Sequence, residues 1–155
     1  MDWGYRRTWA EISRSKLISN YRVLKALCGQ HEFFCPMVKC NAYGHGAFRV
    51  ANWLNQEGVD SFGVALVEEA LDLRLGGLLD PDIFVFGIFP QEAVRTILEN
   101  RLTPVISSLQ ELEVLDRGLH DEESLKVHIK IDTGMKRLGL SLEQIPEAKK
   151  ILKKK

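Results

Sequence analysis

The feature that most restricts the fold is the strict alternation of short apolar runs with helix-period segments along most of the 155-residue chain. Residues 33–38, 61–66, 82–86, 103–106 and 125–131 read as strands, because each run is short, apolar and closed by turn-forming residues. Between them, 47–57, 67–75, 91–100 and 109–119 carry helical spacing. A leading helix is expected over 14–27, with Ser13 as N-cap and Leu17, Tyr21 and Leu24 as its apolar stripe, and another after Ser141. Strands joined by helices must run parallel, so the fold class is α/β, with either an open doubly wound sheet or a barrel. No G-x-G-x-x-G turn follows the first run, which disfavours a dinucleotide-binding fold.

Composition narrows the partners. The formal net charge is zero and 45% of residues are hydrophobic, as expected for a globular domain with one core and no nucleic-acid partner. The basic run 149–155 reads as a helix terminus favoured by its dipole. No segment approaches the ~20 apolar residues of a membrane span, and residues 1–7 hold no secretory run, so a cytoplasmic protein is expected. Cys28, Cys35 and Cys40 are odd in number and lack C-x-x-C spacing, indicating neither a disulfide framework nor a metal site.

Two places carry chemistry. The run 33–38 ends at Lys39, and Cys40-Asn41-Ala42-Tyr43-Gly44-His45-Gly46 comes next as a polar loop. In parallel α/β folds, loops at the carboxyl ends of strands hold ligands, so Lys39 stands where a reactive amine could meet a substrate. The alternative is a snorkelling lysine. In the last strand the side chains alternate, with Val127, Ile129 and Ile131 on one face and His128, Lys130 and Asp132 on the other. Facing inward, the polar three need partners; on an edge, they would face water.

The segment Val38-Lys39-Cys40-Asn41-Ala42-Tyr43-Gly44-His45-Gly46, the segment Lys130-Ile131-Asp132-Thr133-Gly134-Met135-Lys136-Arg137-Leu138-Gly139 and the opening Thr8-Trp9-Ala10-Glu11-Ile12 together resemble the alanine racemases. Those enzymes carry pyridoxal 5'-phosphate on a (β/α)8 TIM barrel. A complete barrel takes ~250 residues, so the resemblance implies an incomplete one of about five parallel strands with helices. Residues 1–13 would be an N-terminal segment and 14–155 the partial barrel domain, without the family's C-terminal β-domain.

The implied function is interconversion of L-alanine and D-alanine through a Lys39 aldimine, the present residues being an N-terminal portion inactive alone. By resemblance, Lys39 is catalytic and holds the cofactor, Tyr43 bonds its phosphate, and Arg137 lies beside the ring oxygen and the substrate carboxylate. Lys130 matches a lysine that is carbamylated in some members and buttresses that arginine. Asn41, Gly44, His45 and Gly46 shape the loop, Met135 packs, and Lys136 faces solvent. A small amino acid is the implied partner, with a homodimer for the full-length family. The family's opposite-face tyrosine base and the arginine contacting the pyridine nitrogen have no counterpart in these residues. Two other readings are a pyridoxal-phosphate-binding barrel protein without racemase activity and a self-associating structural protein. Single-domain cofactor carriers usually lack the D-T-G-M-x-R-L-G segment.

Overall fold

Helix α1 (Arg14–Leu27) begins where the Ser13 hydroxyl accepts from the Lys16 N–H at 3.4 Å, in a computed structural model that describes residues 8–29 and 33–152. Four parallel strands, β1 (Ser61–Val64), β2 (Asp82–Val85), β3 (Leu102–Ile106) and β4 (His128–Ile129), are hydrogen-bonded in chain order. Ser61 pairs with Asp82, Ile83 with Leu102, and Val105 with His128. A single helical turn α2 (Lys39–Tyr43) and helix α3 (Ala47–Asn55) precede β1. The helices α4 (Val67–Leu75), α5 (Ala93–Glu99) and α6 (Leu109–Gly118) connect the strands, and a 3-10 turn at Leu142–Gln144 leads into α7 (Ile145–Leu152).

Strand periodicity decides where the core sits. Phe62, Val64, Ile83, Val85, Leu102 and Ile106 form one cluster with Val50, Leu54, Leu73, Ile97 and Leu112 of the helices. Val127, Ile129 and Ile131 pack against the same cluster, so the expected apolar face of the last strand is the helix-facing one. Phe84, Thr103, Val105 and His128 project from the opposite face of the sheet. There the His128 ring lies 4.5 Å from Phe84 and 5.6 Å from Phe33.

Two expected strands are shorter than their apolar runs. The run 33–38 is reduced to one bridge, Met37 to Gly63, held by Val38 N–H to Gly63 O at 2.8 Å and Gly63 N–H to Pro36 O at 2.9 Å. Pro36 has no N–H to donate to the next carbonyl of β1, so the ladder stops at this bridge. The run 125–131 keeps only His128 and Ile129 as strand, paired to β3. Beyond them, Ile131 bridges to Leu140 instead of to a neighbouring strand.

A buried arginine ties the amino ends of the strands together. Arg74 in α4 donates Nε to Asn100 O, Nη1 to the carbonyls of Leu78, Leu79 and Pro81, and Nη2 to Arg101 O. Those carbonyls belong to the turns entering β2 and β3, and a planar fork can serve both at once. Burial, followed by the neighbouring charge of Arg101, lowers its pKa from the ordinary arginine value.

Candidate functional site at the carboxyl ends of the strands

Lys39 sits directly after the Met37 bridge, at the carboxyl end of that segment, and is half-buried. The residues after it form a left-handed helical turn. Cys40, Asn41 and Ala42 have φ/ψ of 51/46°, 55/44° and 52/47°, and Tyr43 has φ 54°. Left-handed geometry costs an L-residue roughly 1–2 kcal/mol, and such residues normally occur singly. Four together need strong local support.

That support is visible bond by bond. Ala42 is buried, and its N–H donates to Val38 O at 2.8 Å. The Asn41 carboxamide oxygen accepts from Ala47 N–H at 2.8 Å, capping α3 where Gly46, at φ 90°, has no side chain to do so. The His45 ring Nδ1 lies 2.9 Å from Ala42 O. The Cys40 N–H donates to Glu69 Oε1 at 2.6 Å, while Glu69 Oε2 accepts from Ala65 N–H at 2.8 Å and Leu66 N–H at 3.1 Å. One carboxylate thus joins the start of α4, the exit of β1 and the turn after Lys39.

The second motif forms a closed loop beyond β4. Asp132 Oδ1 accepts from Gly134 N–H at 2.9 Å and Lys136 N–H at 3.1 Å, and these backbone bonds hold its carboxyl below the ordinary aspartate range. Lys130 Nζ donates to Leu138 O at 2.8 Å. Leu140 N–H returns to Lys130 O at 2.8 Å, and Asp132 N–H reaches Leu140 O at 3.0 Å. Gly139 lies at the closing point with φ 130°, where a Cβ would meet Asp132 N at 2.6 Å. The three polar residues on this face of the last strand therefore all find partners: rings for His128, a carbonyl for Lys130 and amides for Asp132.

Lys39 and Arg137 come after two different strand segments at the same end of the sheet, and Tyr43 ends the turn that Lys39 begins. Tyr43 is 61% exposed and Arg137 is exposed, so neither side chain is spent on packing. Among the described residues, no hydrogen bond or ion pair engages the side chains of Lys39, Tyr43 or Arg137. Met135, expected to pack, is 73% exposed. Lys136 faces solvent, as expected. No cluster of metal-ligating side chains occurs among the described residues.

Sequence reasoning missed Glu69. Its N-cap is Leu66, so the S-x-x-E signature that announces Glu111 after Ser108 is absent here. An acid at the third position of a helix that leaves a strand was the available signal.

The model of the alanine racemase N-terminal domain matches residues 12–155. Alanine racemase 1 of Caldanaerobacter subterraneus subsp. tengcongensis is 40% identical over 137 residues, covering 88% of this chain and 35% of that protein. The alanine racemase of Carboxydothermus hydrogenoformans is 37% identical over 151 residues, covering 97% of this chain and 40% of that protein. Among solved structures, alanine racemase of Clostridium difficile 630 superposes with a TM-score of 0.88 at 33% identity, covering 98% of this chain and 40% of that one. A histidine racemase from Leuconostoc mesenteroides superposes with a TM-score of 0.84 at 28% identity, covering 97% of this chain and 40% of that one. The chain thus spans well under half the length of these relatives, and its parallel sheet and helices are part of their barrel. With two motifs seated at one end of that sheet and a family model matched along nearly its whole length, the chain belongs to the alanine racemase family through its N-terminal barrel domain.

Proposed function

We propose that this chain supplies the cofactor-lysine half of a pyridoxal-phosphate-dependent amino-acid racemase, with alanine as the preferred substrate. The observation that carries the reading is the lysine itself: an amine at a strand end that no hydrogen bond or ion pair engages among the described residues, with a costly left-handed turn after it. When bound, pyridoxal phosphate supplies an aldehyde that condenses with an amine, releasing water, and a ring that accepts electrons from an amino acid's α-carbon.

The donor set fits that group. Lys39 offers a primary amine, Tyr43 an exposed phenol suited to a phosphate oxygen, and Arg137 a guanidinium suited to a carboxylate. Lys39 holds the cofactor and then moves the α-proton on one face of the substrate. Lys130 lies one strand step before Asp132 and donates to Leu138 O, next to Arg137, so it steadies the backbone that carries the guanidinium. A carbamate on Lys130 would replace that cation with an anion close to the Leu138 backbone, a suitable partner for the Arg137 guanidinium. The opposite-face base and the pyridine-nitrogen contact are supplied by residues outside this segment, with a second subunit in a dimeric enzyme. A cytoplasmic setting belongs to the same reading; among the described residues, no helix is long and apolar enough to cross a membrane.

The test is an absorbance titration of the 155-residue chain with pyridoxal phosphate beside Lys39→Ala, then borohydride and peptide mapping. A band lost in Lys39→Ala, with the fixed mass on the Lys39 peptide, is the expected result; no Lys39-dependent band would overturn the reading. Adding the complementary C-terminal portion of a relative should then produce D-alanine. Cofactor capture without any D-amino acid would favour the non-catalytic carrier instead.

A further inference from the structure

The turn after Lys39 is hydrogen-bonded from outside its own segment by one side chain among the described residues, and that side chain has no assigned role. Glu69 is the third residue of α4, where a carboxylate complements the helix dipole. Its Oε2 takes the two N–H groups at the exit of β1, from Ala65 at 2.8 Å and Leu66 at 3.1 Å. Its Oε1 crosses to the neighbouring unit and takes the Cys40 N–H at 2.6 Å. An N–H at the start of a helical turn has no partner within the turn, so this bond satisfies a group that would otherwise be left open.

A comparison within the same chain shows that the crossing bond is not a by-product of helix capping. Glu111 occupies the equivalent third position of α6, after the exit of β3. Its Oε2 accepts from Ser107 N–H at 2.8 Å, Ser107 Oγ at 2.8 Å and Ser108 Oγ at 3.1 Å, whereas its Oε1 is buried without a hydrogen-bond partner. Both carboxylates fasten a strand exit to the next helix. Glu69 also grips the residue next to Lys39.

We infer that Glu69 is a positioning residue for Lys39: it holds the left-handed turn closed and so fixes where the amine is presented. The inference deepens the cofactor reading and rests on it. A strained backbone persists only where its surroundings over-determine it, and this bond couples the turn to the strand next to it. Asn41 and His45 stabilise the turn from within its own segment, and Ala42 packs in the shared core. The Met37–Gly63 bridge fixes the chain entering the turn, and among the described side chains Glu69 alone hydrogen-bonds the turn itself to the exit of β1. Glutamine cannot replace the carboxylate, because one of its two ends is an NH2 donor that would face an N–H.

The test compares Glu69→Gln, which loses an acceptor because both Glu69 oxygens are engaged, with Glu111→Ala, which removes the same kind of cap without touching the Lys39 turn. Three readouts are taken well below melting: amide exchange at Cys40, trace acetylation of Lys39 by acetic anhydride without cofactor, and the rate of pyridoxal phosphate capture. In Glu69→Gln, exchange at Cys40 should rise roughly tenfold or more. Lys39 acetylation should shift about threefold and capture should slow roughly tenfold. Glu111→Ala should match wild type in all three, although its melting temperature falls with the lost cap. Unchanged exchange at Cys40, unchanged Lys39 acetylation, or equal effects of the two variants would each overturn the inference. A wild-type chain that captures no pyridoxal phosphate would refute the cofactor reading alone, and exchange with acetylation would still decide the role of Glu69.

Discussion

Replacing Cys40 by glycine should leave the protein as stable as before or more stable, the reverse of what glycine does in an ordinary helix. At φ 51° and ψ 46°, Cys40 sits in a left-handed conformation, and its side chain is exposed, so truncation loses almost no burial. Relief of the left-handed penalty is worth about 1–2 kcal/mol. Against it stands the added freedom of glycine in the unfolded chain, about 0.4–1 kcal/mol. The balance is a gain of about 0.5–1 kcal/mol. Glu113→Gly is the matched control, at an exposed interior position of right-handed α6, and should lose about 0.5–1 kcal/mol. Urea unfolding separates the two. A gap of about 1.5 kcal/mol moves the midpoint by roughly 0.5–1.5 M at slopes of about 1–3 kcal/mol/M. If Cys40→Gly loses as much as Glu113→Gly, the left-handed strain does not exist and the account of the turn is wrong.

The same geometry sets other expectations. Arg74→Lys replaces a five-bond fork with three donors on a point charge and should cost about 2–3 kcal/mol, a fall in Tm of roughly 5–10 °C by calorimetry; a fall under about 2 °C would show that the fork is dispensable. Asp132 is held below its ordinary value chiefly by the Gly134 amide and then by the Lys136 amide, so the loop's stabilisation is complete above about pH 4 and is lost as pH falls through the lower folded value. Amide shifts of Gly134 and Lys136 should report that midpoint in wild type and lose it in Asp132→Asn; a midpoint at or above about 3.9 would refute the assignment. Thiol alkylation at pH 8 should reach exposed Cys40 first and Cys35 last, because burial, and then the charge of Asp60, pushes the Cys35 thiol up to about 12. Peptide mapping reads the order, and early labelling of Cys35 would contradict its burial.

The layout of the sheet was legible because period-two patterns carry their own orientation. The alternation of Val127, Ile129 and Ile131 with His128, Lys130 and Asp132 placed three residues against the helices, where they are found. Strand lengths were less legible, since hydrogen bonding depends on neighbours as well as on composition. The run 33–38 is as apolar as β2, yet Pro36, with no N–H to give, leaves it one bridge among the described residues. The run 125–131 ends as a strand where its backbone turns to Leu140.

The conformation of the site was illegible for a deeper reason. A turn built from glycine announces itself in sequence, and here glycine enters only at Gly44, after four residues that already have positive φ. Asn41 alone tolerates that conformation locally, and then as a single residue; cysteine, alanine and tyrosine have no such preference, so the segment does not predict a run of four. The conformation is imposed by contacts: a buried Ala42, a cap from Asn41, and a carboxylate on the next βα unit. This difference bears on what the turn does. A glycine-rich loop would adopt the same path cheaply and leave it cheaply, whereas L-residues adopt it only when every tie is made. The ties that make the turn hard to read from sequence are therefore also what makes it rigid, and a rigid turn gives the Lys39 amine one position relative to β1 instead of many.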